Sequence, residues 1–453
     1  MQQAKSSHAS FTDTANVVFA KAIGAEWVAY SLANGNTRQQ MPDPEILPVA
    51  EGVQTQFETV TISEAVDTIP ARWPLETDTA LWTPQEPAGR HNSRVVRFIF
   101  YDAEQLVSIP KEYGSFHPRG ISEADVSAFW TELSQYDYKF ILADCAKYTQ
   151  LHGYNDWAVL EWVQVLSAEL FPKNIYSEQA IFTVFLLNQI GLMTKIARIG
   201  DQLVSMFAAM QPVYARKFII IDTYPFYLAG KDFSASEVFT YSAPFMKPAR
   251  PLDLRIQVAP AFGNVHSFST RHQQSALFGM AFDLPVNQAL IRFYGSYPQT
   301  QVSVYATAVP EARFATALTS AIGENIKGMS AEDALNRLLA FVQTDFNYMT
   351  DLSQFGYEKP FFCEENFVYG GNDCEDRTAL FAFLVHSLLG NKVLLLEYPE
   401  HLCAAVQLPG DHKGDHVLMG GEKFYVCDPS YIGATLGMSI PKYKNQSVKA
   451  YVL

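Results

Sequence analysis

A chain of 453 residues that is 48% hydrophobic and 13% aromatic can bury more than one core, so two or three domains are expected. A formal net charge of -14, with no run of Lys or Arg, excludes a general nucleic-acid surface. No apolar run is long enough to span a bilayer, and the opening MQQAKSSHASFTD lacks the basic and apolar regions of a secretory leader. A complete sequence would therefore be cytoplasmic, and one that has lost a leader would be periplasmic or exported. The five cysteines, Cys145, Cys363, Cys374, Cys403 and Cys427, form no C-x-x-C and no metal-ligand spacing. Their odd number leaves at least one free thiol, and neither a metal nor a cofactor is expected.

In chain order, apolar spacing over 15–32 (Val17, Val18, Ala20, Ile23, Trp27, Val28) predicts a short packing helix. Prolines are frequent over 42–87, favouring extended backbone and denying ladder hydrogen bonds. Residues 1–92 are thus read as a helix and a Pro-rich tether or wrapping arm, available to a protein partner. VVRFIFY at 95–101 predicts a strand, and helices are expected at about 121–135, 138–150, 155–171 and 177–190. Strand-like runs at 203–210 and 218–228 complete a domain at 93–233. Short runs broken by Pro, Gly and Ser (LRIQVAP, ALIRFYGSY, QVSVYATAV) predict a small antiparallel β unit at 234–310. Helices resume at about 312–321 and 331–346 in a last domain, 311–453.

The two helix-rich parts repeat. SEQAIFTVFLLNQIG, ending at Gly191, matches EDRTALFAFLVHSLLG, ending at Gly390, at an offset of 390 minus 191, or 199. The flanking elements recur in the same order, with Val163-Gln164 against Val342-Gln343 and PFYLAG against KFYVCD, which points to an internal duplication.

The second copy carries the chemistry. YGGNDCEDR, from Tyr369, is a glycine-rich turn that delivers Cys374 to the first turn of a helix, where unsatisfied N–H groups and the helix dipole are expected to lower a thiol pKa. Glu375 and Asp376 oppose that effect. After a strand at 393–397, period 2 puts His401, Cys403, Ala405 and Gln407 on one face of a strand opened by the histidine. Asp428-Pro429 ends a third strand. A helix-terminal cysteine, an imidazole and a carboxylate are what thiol nucleophilic catalysis requires.

In these residues the chain resembles the transglutaminase-like superfamily of papain-like fold. The matching motifs are Asn372-Asp373-Cys374-Glu375-Asp376 for its G-x-C-x-D, His401 to Val406 for H-x-x-x-V, and Asp428-Pro429 for D-P. The resemblance covers about 330–431, with a weaker echo at 155–230. It implies an α+β protein with two transglutaminase-like domains, the first degenerate, bridged by the small β unit, similar to bacterial multidomain members that are peptidases. Cys374 would be the nucleophile, His401 the base and then acid, and Asp428 its orienter. His416 competes with His401 because the PGDHKGDHVLMGG hairpin lengthens the His-to-Asp interval, yet His401 opens the strand that follows the helix and its paired strand. Asn366, Tyr369 or Gln343 could join the Cys374 N–H in an oxyanion hole.

Each residue also has a plainer role: a buried thiol, a strand-opening histidine, an Asp-Pro turn. Cys403 and Cys427 are expected to be packing or redox bystanders, or part of the site wall. The group Asp411, His412, Asp415 and His416 is expected to be a solvated turn. In the first copy Ile175, Gln202 and Gly230 fall at the three chemical positions, so that copy is expected to be inactive and to act as a scaffold or binding surface. Three functions stay open: hydrolysis of a peptide or amide bond in a protein or peptide substrate, protein crosslinking by transamidation, and a non-catalytic assembly scaffold.

Overall fold

The computed structural model describes residues 13–35, 47–50, 60, 62–65, 92–230, 234–444 and 446–453. The fold is mixed α+β and divides into two compact units. Unit 1 comprises Met1–Asn36 and Asp78–Leu254, and unit 2 comprises Thr37–Thr77 and Arg255–Leu453. Among the described residues no helix is long and apolar enough to cross a membrane.

Unit 1 opens with α1 (Thr14–Ile23), capped where Asp13 accepts a hydrogen bond from Asn16 N–H at 3.2 Å. The helix stops at Gly24, short of the expected residue 32, and β1 (Val28–Ser31) follows. The chain then supplies β2 (Ile62–Ala65) to unit 2. It returns with the hairpin β3 (Ser93–Phe100) and β4 (Ala103–Pro110) and four helices: α2 (Glu123–Ser134), α3 (Lys139–His152), α4 (Asp156–Leu170) and α5 (Glu178–Ile190). α5 buries Ile181, Phe182, Val184, Phe185, Leu186 and Leu187, so it is apolar on nearly all sides and lies in the core of the unit. β5 (Thr194–Ile199), β6 (Gln202–Ala208), β7 (Phe218–Ile221), β8 (Tyr224–Leu228) and β9 (Glu237–Thr240) complete the unit. The single run expected at 218–228 is a hairpin. Its two turn residues, Asp222 and Thr223, both have positive φ, as a tight turn of the primed type needs, but they lack the Asn-Gly signature that would reveal it.

Unit 2 continues with the hairpin β10 (Phe268–Ser275) and β11 (Met280–Asn287), then α6 (Gln288–Ser296), α7 (Val302–Ala306), α8 (Ala312–Ile326), α9 (Ala331–Thr344), α10 (Asp351–Phe355) and α11 (Cys374–Leu389). The strands β12 (Val393–Tyr398), β13 (His401–Gln407), β14 (His416–Met419), β15 (Glu422–Cys427) and β16 (Val448–Val452) close it. The segment 234–310, expected as one bridging unit, is divided, with 234–254 in unit 1 and the remainder, including the antiparallel hairpin β10–β11, in unit 2. ALIRFYGSY is helical despite its β-forming residues. Asn287 accepts from the N–H groups of Ala289 and Leu290 at 3.0 and 3.3 Å, and Ala289, Leu290, Phe293 and Tyr294 are buried at helical spacing, so cap and packing override propensity.

The expected 1–92 segment is likewise divided between the units. Where it is described, its Pro-rich part is pinned to unit 2. β2 pairs in parallel with β16, Pro48 O accepts from Ile432 N–H at 2.9 Å, and Val60 N–H donates to His416 O at 2.8 Å. The remainder of the expected tether lies outside the described residues.

Each unit contains a six-stranded sheet. Unit 1 runs β1-β9-β5-β6-β8-β7, and unit 2, read from the matching edge, runs β2-β16-β12-β13-β15-β14. In both, a glycine-stopped helix leads into the central hairpin, α5 into β5-β6 and α11 into β12-β13; Gly191 and Gly390 both have positive φ. One outer pairing differs. β1 is antiparallel to β9, whereas β2 is parallel to β16.

Candidate functional site

The turn ahead of α11 is fixed by backbone contact. Asn372 N–H donates to Asn347 O at 3.1 Å, and Met349 N–H donates to Asn372 O at 3.2 Å. The chain approaches so closely that a Cβ on Gly371 would lie 2.5 Å from Met349 Cβ, which accounts for the glycine. Arg377, wholly buried, ties the turn from inside. It donates from Nε to Asn372 Oδ1 at 2.9 Å, from Nη1 to Gln343 O at 3.2 Å and from Nη2 to Phe346 O at 2.9 Å. Burial pulls its pKa down to about 10.

This turn presents Cys374 as the first residue of α11, 5% exposed. Its electrostatics run against the sequence expectation. Burial first, then the Glu375 and Asp373 carboxylates, push the thiol well above the ordinary cysteine range, and Sγ–H donates to Glu375 Oε2 at 3.1 Å. Desolvation and the neighbouring carboxylates outweigh the roughly half charge of a helix dipole.

His401 and Asp428 do come together. The β13–β15 register sets Ala404 against Cys427, which places Cys403 opposite Asp428 and His401 one diagonal step away. His401 Nε2 lies 2.8 Å from Asp428 Oδ2, and both residues are buried. The other carboxylate oxygen, Oδ1, accepts from Ser430 N–H at 2.9 Å. Tyr443 stacks on the imidazole with centroids 4.9 Å apart and planes 9° apart, fixing the ring plane. Nothing in the sequence around Tyr443 marks it, because a short 3-10 turn, Pro441–Tyr443, brings it in.

The helix reaches this pair through Leu402. β15 pairs only with Ala404–Gln407 of β13, so the lane beside Leu402 is open, and the first turns of α11 fill it. Thr378 Oγ1 donates to Leu402 O at 3.1 Å, and Leu402 N–H is directed at the Cys374 sulfur. The three residues named from sequence thus converge on one end of β13. Cys403 belongs with them, since its sulfur, a His401 ring nitrogen and an Asp428 oxygen all lie within 4.8 Å of one another. The shared strand face was the signal for it. Cys427 is buried, with its Sγ 3.6 Å from Tyr425 O.

The oxyanion assignments fare differently, because all three side chains are engaged elsewhere. Gln343 Nε2 donates to Asp428 O at 3.0 Å and to Ala434 O at 3.1 Å, while its Oε1 accepts from Gly433 N–H at 3.1 Å. It straps the Asp428 turn to α9. Asn366 Oδ1 accepts from Asn372 Nδ2 at 2.8 Å, and its own amide faces the Phe362 and Cys363 carbonyls. Tyr369 bonds Glu365 and packs its ring near Lys359.

The competing histidines are also accounted for. His416 opens β14 with Nδ1 3.1 Å from Gly414 O, and His412 Nδ1 lies 2.8 Å from Glu332 Oε2. The hairpin is not the solvated turn expected throughout, since Asp415 is 1% exposed and pairs with Lys444 at 3.2 Å. Although no metal-ligand spacing is visible in the sequence, the fold gathers Asp351, Asp373 and Glu375, one oxygen from each within 4.8 Å of the others. Comparison with protein-family models, curated proteins and solved structures returns no match to this chain.

Proposed function

We propose that unit 2 is a cysteine-dependent acyl-transfer module of transglutaminase-like type that hydrolyses a peptide or amide bond, and that unit 1 is a degenerate copy serving as scaffold or binding surface. The buried His401–Asp428 pair at 2.8 Å, reached by the helix that starts on Cys374, carries this reading. The matching strand order of the two sheets supports the duplication.

In this reading Cys374 Sγ–H passes its proton to His401 Nδ1 as sulfur attacks the carbonyl carbon. The C–N bond breaks when the imidazolium returns that proton to the leaving nitrogen. Water, deprotonated by His401, then attacks the thioester, and the sulfur leaves and regains its proton. Asp428 holds Nε2–H, which makes Nδ1 the basic nitrogen. The Cys374–Glu375 hydrogen bond must break first, so substrate entry has to displace or neutralise the Glu375 carboxylate. An amine in place of water would give crosslinking through the same thioester.

One observation favours a non-catalytic scaffold: the thiol is buried, bonded to a carboxylate and raised in pKa. Thiol labelling at neutral pH separates the two. In the enzyme, Cys374 labels ahead of Cys145, Cys363, Cys403 and Cys427, which are also buried and free, and loses that lead in His401→Ala. Equal sluggishness of all five thiols sinks the catalytic reading.

A further inference from the structure

Beside the thiol, on the far side of Glu375, lies a group of acids that the acyl-transfer chemistry does not use. Asp351 opens α10, Asp373 is the residue that caps α11, and Glu375 is in its first turn. All three are buried, at 3%, 6% and 3% exposure. Asp373 Oδ1 is buried with no hydrogen-bond partner, and the Asp373 carboxyl stands within hydrogen-bonding contact of the Glu375 carboxyl. Two carboxylate oxygens at that separation repel unless a proton or a cation lies between them.

Among the described residues, the two nearby cations, Lys359 and Arg377, make their direct bonds to other groups. Asp351 Oδ2 accepts from Lys359 N–H, but the Lys359 ammonium is bonded to Glu365. Asp376 adds a further carboxylate and is held by the Phe361 N–H at 2.7 Å. The Arg377 guanidinium donates to an amide oxygen and two carbonyls.

We infer that Asp351, Asp373 and Glu375 form a site for one hard divalent cation, Ca2+, Mg2+ or Mn2+, against the first turn of α11. An all-oxygen donor set selects such ions over softer metals. The positive end of the helix opposes a cation with only about half a charge, against three carboxylates. Because Glu375 also accepts the Cys374 S–H, an ion drawn to Glu375 would compete with the thiol for the same carboxylate. Binding of the ion itself does not depend on whether Cys374 is catalytic.

The test uses the full chain, stripped with chelator and titrated calorimetrically with CaCl2, MgCl2 and MnCl2. The expected result is one saturable site per chain for at least one ion, with a matching rise in Tm. Asp351→Asn and Asp373→Asn should each weaken that binding by about tenfold or more, a loss equivalent to about 1.4 kcal/mol. In chelator both variants should melt no lower than wild type, since a neutral amide removes repulsion, and Glu375→Gln serves as a third variant if either fails to fold. Absence of saturable binding for all three ions, or binding indifferent to the substitutions, overturns the site. So does a cluster satisfied by a shared proton alone, seen as a Tm that responds to pH but to none of the ions.

Discussion

In unit 1 the helix ahead of the central hairpin starts at Glu178, and Ile175, which corresponds to Cys374, lies outside it, 61% exposed. In unit 2 the helix starts three residues earlier relative to the repeat, at Cys374, and is buried from its first residue. Those three residues, Cys374, Glu375 and Asp376, make an extra turn, whose first residue faces the Leu402 N–H. Gln202 and His401 both open the strand after the first hairpin turn, yet Gln202 is exposed and His401 is buried beside Asp428. The comparison teaches that two sheets of matching strand order can differ by the length of one helix and by what that helix end meets.

The largest effect expected is on Cys374→Ala, which should lower amide or thioester-forming ester hydrolysis by about a thousandfold or more. The reciprocal change, Ile175→Cys, should give an exposed thiol that labels readily but adds no turnover. Retained hydrolysis in the first variant, or new hydrolysis in the second, breaks the asymmetry between the units. His401→Ala should lower kcat by roughly 10²- to 10⁴-fold, and Asp428→Asn should lower it less while displacing the alkaline or acidic limb of the pH–rate profile.

Glu375→Gln sharpens the electrostatic side. Removing a carboxylate that raises the Cys374 pKa should speed alkylation of that thiol at neutral pH, read by peptide mapping, and leave Cys145 unchanged. A smaller loss is expected from Gln343→Ala, which removes the Gln343 donor from the Ala434 carbonyl and leaves the Asp428 carbonyl with Tyr431 N–H at 3.2 Å, and should destabilise the chain by about 1–3 kcal/mol, measured by denaturant unfolding.

The smallest effect concerns Glu364, whose carboxyl is pushed up to about 7 by burial. The folded state then holds a proton that the unfolded chain has already released, so stability is greatest below the ordinary Glu range and declines as pH rises from about 4.5 to about 7. Glu364→Gln should flatten the dependence of Tm on pH across that window. An unchanged slope would place its origin elsewhere.

Much of this site is legible locally. The glycine-rich turn, the apolar spacing of α11, the strand opened by His401 and the Asp-Pro after Cys427 each carry a short-range pattern, and offset 199 aligns one helix with another. What is not legible comes from distant chain. Asp351 reaches Glu375 from α10, Gln343 reaches Asp428 from α9, and Tyr443 comes from beyond the last hairpin; no periodicity encodes such meetings. The shift of the Cys374 thiol is not legible locally: Glu375 and Asp376 can be set against the helix end from sequence, but the burial that contributes most to raising the pKa cannot. β5 is not legible because TKIARI, buried through Thr194–Ala197, has no alternation to display; within 234–310 antiparallel pairing occurs at β10–β11, whereas ALIRFYGSY is helical because the Asn287 cap, which propensity does not weigh, starts α6.

The parallel pairing of β2 with β16 has a further consequence, for assembly. Ile62 meets Val448, a separation of 448 minus 62, or 386 residues, among the most distant ladders the chain makes. During synthesis the edge strand of unit 2 emerges before the bulk of unit 1 and has no ladder until β16 follows. Unit 1 can therefore close its sheet while unit 2 is still missing its outer strands, and ordering of unit 2 is a late event set by loop closure over several hundred residues. Proteolytic cuts on both sides of β2 would be expected to sever that edge strand from the chain while leaving every named site residue on one fragment.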